Sequence, residues 1–107
     1  MRPFLGHEEL AGIRALWTRG KLDQADKLLM RAEPSPAVLD ELRKIASVRA
    51  TEAKKAGDWQ AVVQYLEGYN AYAKKCRKHC MATVNQAPPP HTKTDAALLL
   101  KAKKRLS

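Results

Sequence analysis

No run of apolar residues in this chain of 107 approaches the ~20 that a helix needs to cross a bilayer, and the longest cluster of large aliphatics is Leu98-Leu99-Leu100. The opening stretch from Met1 to Glu9 lacks the apolar segment of a secretory signal, so a cytoplasmic protein without membrane contact is expected. Cysteine is scarce. Cys76 and Cys80 are too few for a disulfide scaffold, and four residues apart on a helix they do not aim into a strain-free bridge, so reduced thiols are expected. Five scattered glycines form no phosphate-cradling loop, and no paired-carboxylate motif stands out. Strand signals are nearly missing too: there is no sustained alternation of period two, and β-branched residues are sparse. These absences argue against an enzyme, so no catalytic residue, metal or cofactor is expected.

What is present is helical. Ala, Leu, Lys, Gln and Glu dominate, and the length allows one domain with one modest core. Five segments show helical periodicity. The first, from about His7 to Thr18, has Leu10, Ile13, Leu16 and Trp17 as its stripe and ends at Gly20. The second runs from about Leu22 to Ala32 and is stopped by Glu33-Pro34-Ser35-Pro36. The third opens with Ser35 as N-cap and Pro36 in the first turn, presents Leu39, Leu42, Ile45, Ala46, Ala53 and Ala56, and closes at Gly57. The fourth reads from about Asp58 to Thr83. Residues 85–94, with three consecutive prolines, read as a stiff linker. The last helix is expected from about Asp95 to Leu106, with Thr94 as its cap.

Two of the junctions look alike. Gly20-Lys21-Leu22-Asp23-Gln24-Ala25 and Gly57-Asp58-Trp59-Gln60-Ala61-Val62 both place a glycine, a polar residue and a large apolar residue at the opening of a helix. They recur at a spacing that signals stacked helical hairpins. Together with Leu29, Ala32 and Leu66, these residues resemble the inter-helix turns of tetratricopeptide repeats. The resemblance implies stacked helix pairs, a following helix that covers the last exposed face, and protein–protein binding. The expected architecture is therefore all-α: a domain of two stacked antiparallel hairpins over residues 1–84, a proline-rich linker over 85–94, and a basic C-terminal helix over 95–107.

Charge is the most uneven property of the chain. Residues 1–40 carry six Lys/Arg and six Asp/Glu, whereas residues 71–107 carry nine against Asp95 alone, so nearly all of the net +9 lies in the last third. A balanced body with a basic end suggests a surface aimed at an acidic macromolecule. The candidate contact residues are Lys74, Lys75, Arg77 and Lys78 on the fourth helix, with Lys101, Lys103, Lys104 and Arg105 on the last. Tyr65, Tyr69 and Tyr72 fall along one flank of the fourth helix and are candidate aromatic contacts to bases, although a role as the shoulder of a buried face is the more ordinary one.

Cys76, His79 and Cys80 share the i, i+3, i+4 spacing that lets side chains meet on one metal. A closed zinc site needs a fourth ligand, and both cysteines also continue the apolar stripe of Trp59, Val62, Leu66 and Ala73, so buried free thiols are the reading adopted. Trp17 and Trp59 are expected in the core. The function expected on these grounds is binding to nucleic acid or a nucleoprotein assembly. The alternative is an adaptor or inhibitor that grips an acidic or helical protein partner, and an accessory protein of a mobile element fits either reading.

Overall fold

The computed structural model describes residues 2–107. Among them are five helices and no strand: α1 (His7–Thr18), α2 (Leu22–Arg31), α3 (Pro36–Lys55), α4 (Trp59–Val84) and α5 (Lys93–Leu106). No helix among the described residues is long and apolar enough to cross a membrane.

The two similar junctions adopt one geometry. Gly20 and Gly57 have φ of 88° and 72°, the left-handed region that glycine enters without a Cβ clash. At the first, Gly20 N–H donates to the Trp17 carbonyl and Lys21 N–H to that of Leu16; at the second, Gly57 N–H donates to Lys54 and Asp58 N–H to Ala53. Both are Schellman turns, which satisfy the last carbonyls of one helix while reversing the chain into the next. The stop between α2 and α3 depends on proline and a side-chain cap. The Ser35 hydroxyl accepts from Val38 N–H at 3.2 Å, with Pro36 opening the helix. Ser35→Ala is expected to destabilise the protein by about 1 kcal/mol in urea unfolding, with the slope unchanged.

The core has two lobes joined along α3 and α4. Ile13, Ala25, Leu29, Leu39, Ile45 and Cys80 represent one lobe, in which α1 and α2 cover the first half of α3 and the second half of α4. In the other, Ala50, Ala53, Val62 and Leu66 meet Leu99 and Ala102 of α5. The terminal helix therefore shares the trunk's core. Residues 85–92 carry the chain back along α4: the Tyr69 hydroxyl donates to the Pro89 carbonyl, and His91 Nε2 lies 2.8 Å from the Leu66 carbonyl. α5 starts two residues earlier than its periodicity indicates. Its cap is Thr92, which accepts from Asp95 N–H at 3.2 Å, and not Thr94. Thr92 and Asp95 stand at capping-box spacing, a signal present in the sequence.

Glu41 departs from the apolar pattern of α3. It is 2 % exposed and accepts from Arg14 Nε at 3.2 Å, Arg14 Nη2 at 2.6 Å and Trp17 Nε1 at 3.0 Å, while Lys44 Nζ lies 3.6 Å away. Trp17 is accordingly half-buried with its indole N–H spent on this carboxylate, and does not sit in the centre of the core.

Candidate functional site

α4 is the element on which the cationic residues are arranged. Its core face is Val62, Leu66, Tyr69, Cys76 and Cys80, at helical spacing. Lys74, Lys75, Arg77 and Lys78 fall off that face and are all exposed. On α5, Leu99 and Ala102 turn inward, leaving Lys101, Lys103, Lys104 and Arg105 exposed. Of these eight cations, only Lys103 has a carboxylate partner among the described residues, Glu67 at 3.3 Å. The positive field over the rest is uncancelled by direct pairing.

The two groups are not brought together. Because the prolines return the chain along α4, α5 runs antiparallel to it and ends beside the start of α4. Lys101 Nζ lies 5.6 Å and Arg105 Cζ 5.0 Å from the centre of the Trp59 ring. Trp59 and Lys75 are separated by about 24 Å along the axis of α4, from the rise of 1.5 Å per residue. The single basic end of the sequence is thus two patches, one at each end of the α3–α4 hairpin. Trp59 is half-buried beneath two cations at the α4–α5 seam rather than enclosed in the core. Comparison with family models, curated proteins and solved structures yields no match for this chain.

Further cations join each patch. The last turn of α3 brings Lys54 and Lys55 to the Trp59 end, where Lys55 stands 3.6 Å from Glu52. At the other end, Arg2 lines a groove with Tyr72, Lys75 and His79, closed on the far side by Glu33 and Pro34. His79 Nε2 is 3.3 Å from Glu33 Oε1. Lys93, at the start of α5, is exposed as well. Sequence order hides these additions, because Arg2 and Lys75 are distant in the chain and meet only once α4 passes the N-terminal segment. The one local signal is the cationic last turn of α3 next to the Gly57 reversal.

The tyrosines divide. Tyr69 is 5 % exposed, with its hydroxyl on Pro89 and its ring 5.0 Å from that of His91, so it presents no free face to a partner at the surface. Burial pushes its phenol far above the ordinary value. Tyr65 is exposed, with the Arg49 guanidinium 5.6 Å from its ring centre. Tyr72 is half-buried, and burial is the first cause of the upward shift of its phenol. None of the three stands next to the α5 cations; only Tyr72 borders the Lys75 patch.

Cys76 and Cys80 lie in the core as free thiols, and burial, then the neighbouring Cys76, pushes the Cys80 thiol up. A raised thiol pKa lowers the thiolate fraction, the opposite of what activates a nucleophile. His79 turns to Glu33 on the exposed side of α4. Among the described residues, no three His, Cys, Asp or Glu side chains are arranged to hold a metal ion.

Proposed function

We propose that this is a non-enzymatic binding protein that engages nucleic acid, bare or in a nucleoprotein assembly, through two basic patches at opposite ends of α4. One patch is Lys74, Lys75, Arg77 and Lys78, with Arg2 beside them. The other is Lys101, Lys104 and Arg105 around Trp59, with Lys54 near. The observation that carries this reading is that seven of the eight candidate cations are exposed without a carboxylate partner among the described residues, although Asp and Glu supply eleven residues to the chain. Clustered unpaired cations raise the free energy of the isolated protein by mutual repulsion, and an anionic polymer relieves it. Phosphate contacts release condensed counterions, so the affinity for a short duplex, followed by fluorescence anisotropy, is expected to fall steeply with salt. Salt-independent binding, or none at low salt, would sink the reading.

A second reading is an adaptor for a protein partner that would be gripped in the groove between α2 and α4. In that case neutral substitutions in the groove would weaken binding more than charge changes at Lys74, Lys75 and Lys78. Its lining carries both the Asp26 carboxylate and the Arg49 guanidinium around an apolar floor, which suits an amphipathic helical occupant.

A further inference from the structure

We propose that the groove between α2 and α4 binds an organic ammonium ion with an apolar body, its charge set against Asp26 and its body against the tyrosines of α4. Apart from Tyr72, which also borders the Lys75 patch, the site shares no lining residue with the basic patches. Leu42, Ile45 and the buried Tyr69 form its floor, and Tyr65 and Tyr72 line one wall. The i, i+4, i+7 spacing of the three rings stacks them along one side of α4. Aromatic faces carry negative potential and attract cations, more strongly once water is excluded. The groove already seats one: the Arg49 guanidinium lies 5.6 Å from the Tyr65 ring centre.

The opposite wall supplies the counter-charge. Asp26 has no hydrogen-bond or ion-pair partner among the described residues, although it is partly buried. The charge of Arg49 acts on it, but Arg49 is ion-paired with Asp23. The charged groups lining the groove are Asp26 and Arg49, and with Arg49 held by Asp23 the Asp26 carboxylate keeps no partner of its own. Burial, more than the opposing pull of Arg49, holds the Asp26 carboxyl above its ordinary value. The ionised form thus lacks solvation that a cation in the groove would replace.

Gly68 shapes the opening. It stands inside a helix of 26 residues, where glycine is unfavourable, and a Cβ built on it meets nothing within 4 Å. Packing does not require the glycine. Its effect is a notch between Tyr65 and Tyr72, wide enough for a ligand to lie against the helix.

The test is a titration followed by amide NMR with three probes: phenethylammonium, Nα-acetyl-lysine methylamide, and neutral 2-phenylethanol. Shifts are expected at Asp26, Tyr65, Gly68 and Tyr72 with the charged probes. Phenylethanol is expected to bind at least about tenfold more weakly than phenethylammonium. Tighter binding of the first charged probe points to a free amine as the natural ligand, and of the second to a lysine side chain. Asp26→Asn, which removes a desolvated charge and so keeps the fold, is expected to erase the preference for charge. Gly68→Leu is expected to block all three probes by filling the notch. Absence of shifts at tens of millimolar, equal binding of the alcohol, or an unchanged preference in Asp26→Asn overturns the proposal. The triple substitution of Lys74, Lys75 and Lys78 leaves these shifts in place, which separates failure here from failure of the nucleic-acid reading.

Discussion

Replacing Lys74, Lys75 and Lys78 together by glutamine is expected to lower the affinity for a nucleic-acid duplex by roughly two decades near physiological salt. The magnitude follows from counterion release. Each phosphate neutralised contributes about 0.9 to the slope of log affinity against log salt, so losing three contacts flattens the slope by about 2.7. All three side chains are exposed and unpaired, so the substitutions break no ion pair, and the urea midpoint is expected to stay within about 0.5 kcal/mol of the original stability. The loss is expected to be alike across sequences, because lysines on phosphates position a duplex without reading it. A slope unchanged in the triple variant would remove this patch from the interface. The second patch gives an independent check. The 24 Å or so between the patches corresponds to about seven base pairs at 3.4 Å each. Duplexes shorter than that reach one patch only, so affinity is expected to rise sharply once the length passes this span. A gradual rise without a step would mean that the two patches do not act on one duplex.

That separation is the feature the sequence concealed. The helices themselves were legible because their signals are local: Ser35-Pro36 opens α3, Gly20 and Gly57 close α1 and α3, and the apolar stripes recur at helical spacing. The likeness of the two glycine junctions was equally local, and both form the same turn. Where Lys101–Arg105 lie relative to Lys74–Lys78 is a question of long-range packing. It is decided by Tyr69 and His91 pinning the proline segment to α4, and by Leu99 and Ala102 entering the core beside Leu66. A linear count of charge has no access to that antiparallel return. Tyr69 takes the more ordinary of its two expected roles, on the buried face, and what its spacing does not show is that the returning chain covers its hydroxyl end. That the Asp26 carboxylate faces Tyr65 and Tyr72 was likewise invisible, because α2 and α4 are far apart in the chain.

Glu41 carries the largest expected effect on stability. Glu41→Gln is expected to cost about 2–3 kcal/mol at neutral pH, since hydrogen bonds to a charged group contribute about 1.5–3 kcal/mol and an amide can accept only part of this set. Sequence periodicity leaves Glu41 outside the apolar stripe of α3, but Arg14 and Trp17 of α1 close over it, joining α1 to α3 by charge. Burial alone would raise the carboxyl. The hydrogen bonds from Arg14 and Trp17, aided by the charges of Arg14 and Lys44, outweigh it and hold the group below its ordinary value. A carboxyl depressed in the folded state stabilises the protein above its unfolded pKa, and that contribution is lost as pH falls through the folded one. The gap between the native protein and Glu41→Gln in urea unfolding is therefore expected to close as pH drops below the ordinary carboxylate range. Asp40, depressed by Arg43 and Lys44 against its own burial, acts in the same direction, so the variant keeps some acid sensitivity. Asp26 acts in the opposite direction: its raised carboxyl destabilises the fold at neutral pH and relieves that strain on protonation, partly masking the acid loss. A gap between native and Glu41→Gln that stayed constant into acid would show that the carboxylate serves only as a polar spacer and that the clasp between α1 and α3 owes nothing to its charge.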